Sequence, residues 1–154
     1  MSNQSMQLTR ASNVFPSDTV NIPYPNVVLE SATSGSGDSS LVDATVDFLE
    51  LGIKIGDSVY DPDNFLWGTV TSVSQNELGM SDSAFDSIGV NYWIYQGENR
   101  GCVLYVGTGG RLTVLTAGET TIELSGVQDG AFVPIKVLRV FASGTDCTDI
   151  IALW

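Results

Sequence analysis

GGRLTVLTAGETTIELSGVQDGAFVPIKVLRVFASGTDCTDIIALW, residues 109–154, decides the fold class. Strand-forming runs at Arg111–Leu115, Thr120–Leu124, Phe132–Phe141 and Asp149–Trp154 are separated by AGE, GVQDG and ASGTD, each a cluster of turn residues. Such even spacing predicts an antiparallel β-sandwich or barrel. In the longest run, Val133, Ile135, Val137 and Phe141 fall on one face, interrupted by Arg139, while Leu138 and Val140 fall on the other with Lys136. The last run, Ile150–Trp154, is apolar on both faces and has no polar tail. Strands of this kind need cover on both sides, from a second sheet or another subunit. An extension beyond Trp154 is expected to disturb folding or assembly.

Working toward the N-terminus, Cys102–Val106 adds a strand, so residues 98–154 read as a C-terminal β-sandwich or barrel module. Residues 41–97 read as a small inserted β-barrel-like module. Val42, Val46 and Leu49, with Phe48, recur at helical spacing and predict a short helix ended by Gly52. Strands are predicted at Ser58–Tyr60, Leu66–Ser74, Glu77–Ser81 and Val90–Gln96. Closure into a barrel would remove the edges of such short strands. SATSGSGDSS, residues 31–40, has no apolar anchor and reads as a linker and domain boundary. Residues 1–30 hold Pro16, Pro23 and Pro25 and read as an extended N-terminal arm with a first strand at Val27–Leu29. The expected class is therefore all-β.

The charge is lopsided. Eighteen Asp and Glu residues face six Lys and Arg residues, a formal net charge of −12 in a chain of 154 residues. A phosphate backbone is a poor partner for such a chain, because binding it requires clustered cations, so no nucleic-acid contact is expected. No stretch approaches the roughly 18–20 apolar residues of a membrane span, and no basic region followed by an apolar run opens the sequence, so no membrane association is expected. Histidine is absent, which removes the commonest general base and most transition-metal sites. Cys102 and Cys147 are too few and too distant to frame a disulfide scaffold or a zinc site, and read as core residues.

Three constellations invite chemistry. Asp57, Asp61, Asp63 and Asn64 could offer oxygen ligands to calcium, but their spacing departs from the EF-hand loop and all are ordinary turn formers. GTGGRLTV lacks the Lys-Ser/Thr ending of a phosphate loop and leads into a strand. Tyr92, Trp93 and Tyr95 could build a sugar platform, although Tyr92 and Trp93 point to opposite faces. No carboxylate pair, nucleophile or ligand set stands out, so no enzyme activity, cofactor or metal is expected.

Taken as ordered elements, Gly110–Gly118, Val133–Val140 and Ala142–Trp154 resemble the C-terminal module of small virion proteins of tailed bacteriophages, including head-spike base proteins of gene transfer agents. The family pattern is a hairpin of the G-x-L-x-V-x-T-A-G type, an L-P-V-x-V-x-R-V strand and A-x-G-T-x-A-x-x-I-V-A-L-W/Y at the chain end, to which those three segments correspond in order. The match covers about a third of the chain. Leu41–Asp43, Phe48, Gly52–Tyr60, Thr69–Val73 and Tyr92–Tyr95 look like a small β-module of marine-phage structural proteins, with departures at Asp61–Asn64 and Leu78–Met80.

The resemblance implies a virion structural protein that forms a homo-oligomer, trimer or pentamer, and binds the major capsid protein or other virion proteins. A capsid decoration (cement) protein or a head-vertex spike base is the leading expectation. A neck, baseplate or tail-fibre attachment protein is the alternative, and a receptor- or carbohydrate-binding module represents a different class. The expected contact residues are Phe15, Ile22 and Tyr24 of the arm, and Leu138, Val140, Ile151, Leu153 and Trp154 of the last strands. The arm is expected to reach neighbours and to be dispensable for folding.

Overall fold

A computed structural model describes residues 8–154. Among them the strands, in chain order, are β1 (Ala11–Asn13), β2 (Val27–Ala32), β3 (Ser40–Val42), β4 (Ser58–Asp61), β5 (Leu66–Val73), β6 (Glu77–Met80), β7 (Asn91–Tyr95), β8 (Cys102–Thr108), β9 (Gly110–Thr116), β10 (Thr121–Val127), β11 (Ala131–Val140) and β12 (Thr148–Leu153). The fold is all-β, with two six-stranded antiparallel sheets, ordered β1-β12-β8-β11-β9-β10 and β2-β7-β4-β5-β6-β3. Neither sheet closes on itself, so the barrel expected for the inserted module is replaced by an open sheet with edges at β2 and β3.

Each sheet belongs to its own compact unit. One unit comprises the described residues up to Ile22 together with Asn99–Trp154; the other is Pro23–Glu98. These boundaries differ from those expected. Residues 31–40 do not separate domains: Ser31 and Ala32 lie in β2, Ser40 opens β3, and the segment between stays within the second unit. The N-terminal arm is likewise divided, its first part folding with the C-terminal strands.

In the first unit, alternate side chains of β8 (Cys102, Leu104, Val106), β9 (Leu112, Val114) and β12 (Ile150, Ala152) fill one core with Val14 and Ile22 of the arm. Strand β11 changes partner along its length, pairing with β8 from Ala131 to Val137 and with β9 from Val137 to Val140. A register shift between Val137 and Arg139 moves the inward face by one residue. Val133, Val137 and Val140 therefore share the core, and Val140 is not on the opposite face as strict alternation predicts.

The described part of the arm up to Ile22 is built into this unit. β1 pairs with β12 from Ala11↔Leu153 to Asn13↔Ile151, and the Val14, Ser17 and Ile22 amides donate to the carbonyls of Ile150, Val140 and Leu138 at 2.9, 2.9 and 2.8 Å. Arg139, the charge that interrupts the long strand, donates from Nε to Asn21 Oδ1 at 2.9 Å and from Nη1 to the Asp18 carbonyl at 3.0 Å. Asp18 in turn accepts from the Ser143 amide (2.8 Å) and hydroxyl (2.7 Å). At the point where the second unit interrupts this one, Asn99 donates to the Ile22 carbonyl at 2.7 Å and accepts from Gly101 N at 2.9 Å and Trp154 Nε1 at 3.1 Å.

In the second unit, Leu41, Phe48, Val59, Val70, Leu78, Phe85, Tyr92 and Ile94 form a core that solvent hardly reaches. A 3₁₀ turn, Ser83–Phe85, is capped by Asp82, whose side chain accepts from Ala84 N. It drives Phe85 under β5 at Gly68, where a Cβ would come 2.9 Å from both the Phe85 ring and the Met80 methyl. The helix predicted around Val42–Leu49 is replaced by turns. Asp43 Oδ1 accepts from Thr45 N and Asp47 Oδ1 from Glu50 N, while Phe48 N donates to Gln75 O and Asn76 Nδ2 to Val46 O. The carboxylates and the β5–β6 turn take the polar groups that a helix would pair internally.

Candidate functional site

The feature of the second unit that packing does not explain is its surface. Among the described residues, of the large apolar side chains left exposed, Val27, Leu49, Leu51, Ile55, Phe65, Leu66 and Ile88 lie in Pro23–Glu98, against Leu8 and Phe132 in the other unit. Scattered exposed apolar residues are ordinary; their concentration on one unit marks a contact surface.

They fall at opposite ends of the sheet. Leu49, Leu51 and Ile55 stand on the turns that lead into β4, near the end where Asn26 and Gln96 pair as the chain enters and leaves the unit. Phe65, on the turn between β4 and β5, and Leu66, the first residue of β5, stand at the other end, with Ile88 in the loop that leads into β7. Asp63 Oδ2 accepts from Asn91 Nδ2 at 2.7 Å and ties that turn to the start of β7.

The β4–β5 turn is held from within. Asp61 is fully buried, and its Oδ1 accepts from the amides of Asp63 (2.9 Å) and Asn64 (3.2 Å) while Oδ2 accepts from Asn64 Nδ2 at 2.8 Å. An aspartate that binds the amides following it builds a turn of its own, and Pro62 sets the next φ for it. The turn closes at Asp61↔Leu66 with Phe65 at φ 58°, a left-handed conformation that a bulky residue rarely adopts. Phe65 is 69% exposed. The four oxygen-bearing residues considered for calcium thus engage backbone and neighbours: Asp61 its own turn, Asn64 the Asp61 carboxylate, Asp63 the Asn91 amide, and Asp57 the Lys54 amide at 2.9 Å.

Charge is as unevenly placed as apolar surface. Pro23–Glu98 holds twelve of the 18 Asp and Glu residues and, in Lys54, one of the six Lys and Arg residues, a formal charge of −11. The other unit has six acidic against five basic residues, a formal charge of −1. Nearly all of the chain's net charge is therefore carried by the inserted unit. Besides Asp61, a second buried carboxylate of this unit is engaged internally: Asp43 accepts from Tyr92 Oη and Ser31 Oγ at 2.7 Å each and from Thr45 Oγ1 at 2.6 Å.

The aromatic residues considered for sugar binding are divided between the two faces of the sheet. Tyr92 lies in the core, whereas Trp93 and Tyr95 share the opposite face with Tyr60 and Trp67. There the rings pack on one another, with centroids 4.6 Å apart for Tyr60–Trp67, 5.8 Å for Tyr60–Trp93 and 5.5 Å for Trp67–Tyr95. Tyr60 and Tyr95 are buried, and burial pushes each phenol up to about 12, with the Asp61 charge adding to it at Tyr60 and the Glu30 charge at Tyr95.

The expected contact residues are not gathered on one surface. Ile22 and Val140 are buried in the first unit's core. Leu138 is half-buried beside the arm, and Ile151 and Leu153 lie on a strand paired on both sides, by β1 and β8. Trp154 packs half-buried against the core, with its amide on Arg10 O at 2.9 Å. Phe15 is half-buried beside a groove lined by Val14, Pro16, Cys147 and Ile150. Tyr24 is in the other unit and lies over Gly97. Burial raises both thiols, that of Cys102 to about 12.

Sequence reasoning missed Phe65 and Leu66. Asp61-Pro62-Asp63-Asn64 followed by two apolar residues was the available signal, since a turn tip needs no apolar side chains for packing. Comparison of the chain with protein-family models, with curated proteins and with solved structures found no match.

Proposed function

We propose that this chain is a structural protein of a bacteriophage virion, a decoration or spike-base component that assembles as a homo-oligomer and binds the capsid protein. The observation that carries the reading is the division of labour between the units. The unit containing the virion-like C-terminal pattern packs the described part of its arm into its own core, and the inserted unit bears nearly all of the net charge and most of the exposed large apolar side chains among the described residues. A framework that takes part of the arm into its own core and an insertion with surplus apolar surface suit a protein whose work is contact with other proteins. Many copies on a symmetric shell would make individually weak contacts collectively strong.

Mass spectrometry of gradient-purified particles from the phage that encodes the chain tests this. The expected result is incorporation in multiple copies per particle, lowered by a salt wash. A chain found only in the soluble lysate would contradict it. Sedimentation of the purified chain gives the oligomer number, for which a trimer or a pentamer is expected.

A further inference from the structure

We infer that the end of the β4–β5 hairpin, with Phe65 in the turn and Leu66 in the pair that closes it, is a docking contact for a basic protein surface, one that seats the two apolar side chains in a pocket ringed by Lys or Arg. This rests on the reading of the inserted unit as a contact surface and adds to it the residues and the chemistry of the partner.

Three observations converge on the tip. It keeps a bulky residue, Phe65, in a left-handed backbone conformation that Asn or Gly would adopt more readily, so the ring is retained at a local cost in stability. The turn beneath it is fixed by the buried Asp61 carboxylate and the Asp63–Asn91 hydrogen bond, so little flexibility remains to be lost on binding. Ile88, 68% exposed, adds apolar surface at the same end of the sheet.

Charge decides among occupants. At −11, the unit disfavours a tip-to-tip contact between two inserted units, which leaves the contacts of an oligomer to other surfaces; it likewise disfavours an anionic lipid surface and a nucleic acid, and attracts a cationic protein surface over several ångströms. An apolar tip on a negative unit is complementary to an apolar pocket with a positive rim.

The test is to pan a yeast-displayed library of random peptides against the full chain, and then measure the enriched peptides on Phe65→Asn/Leu66→Thr and on Phe132→Thr, an exposed apolar position of the other unit. Asn suits the left-handed position, so loss of fold does not confuse the result. The expected outcome is enrichment of peptides that combine Lys or Arg with apolar residues, roughly tenfold weaker binding to the tip variant, unchanged binding to Phe132→Thr, and weakening as salt is raised. No enrichment, enrichment of uncharged or acidic peptides, or equal binding to the tip variant would overturn the inference. So would self-association of the wild-type chain that the tip variant loses, which would make a second copy the occupant. The peptides contain no virion component, so failure here leaves particle incorporation standing, and absence from particles leaves the peptide result standing.

Discussion

The phenol of Tyr92 donates a 2.7 Å hydrogen bond to Oδ2 of Asp43, in a site that solvent does not reach. The residues are 49 positions apart. Their bond, together with those from Ser31 and Thr45, joins β2, β7 and the turn after β3 at one carboxylate.

Burial alone would raise the Asp43 carboxyl, but the hydrogen bonds from Thr45, Ser31 and Tyr92 outweigh it and hold the group below its ordinary value. Its folded-state pKa therefore lies below the unfolded one. The stability it contributes is fully present above about pH 4 and is lost as pH falls through the lower, folded value. Asp43→Asn is expected to cost about 2–3 kcal/mol at neutral pH and Tyr92→Phe about 1–2 kcal/mol. Urea melts against pH check both. A variant whose acid limb stays as steep as the wild type's would contradict the role given to Asp43.

Phe65→Asn should stabilise the chain by about 0.5–1 kcal/mol, because Asn accepts the left-handed conformation and no packing is lost at so exposed a position. Thermal unfolding measures it. A lower melting temperature would show that the ring is held by contacts within the chain.

The arm is expected to be indispensable. Ile22→Ala should cost about 2–4 kcal/mol, as for other buried aliphatic residues. Deleting residues 8–22 should expose the first unit's core and raise dye binding. A truncated chain with a wild-type melting transition would restore the view of the arm as an outward-reaching tether.

Asn99→Ala removes the acceptor of the Trp154 indole and the donor to the Ile22 carbonyl. A loss of about 1–3 kcal/mol is expected, with a change in Trp154 emission that Trp67 and Trp93 do not share. Fluorescence of variants retaining only one Trp separates the three, and unaltered Trp154 emission would mean that this bond does not hold the ring.

Strand positions at β2 and from β4 to β12 are largely legible, because alternation and turn residues are local signals. Ala11–Asn13 and Ser40–Val42 carry little such signal and become strands only by pairing with β12 and β6. The false helix at Val42–Leu49 had the right spacing, but Asp43, Asp47 and the distant Gln75–Asn76 turn claimed its polar groups. Val140 was assigned to the wrong face because a bulge is invisible to alternation. The unit boundaries were illegible for a related reason: Ile22 and Asn99 meet only through folding. The excess of acid was plain in the composition, but its confinement to the inserted unit required the fold.

Cryo-electron microscopy of the purified particle tests the central claim most directly. The expected map shows the chain on the particle with the Phe65–Leu66 tip of Pro23–Glu98 seated in a basic, apolar-floored pocket of a capsid protein. A map without the chain, or with that tip in solvent and the first unit making the contact, would contradict it.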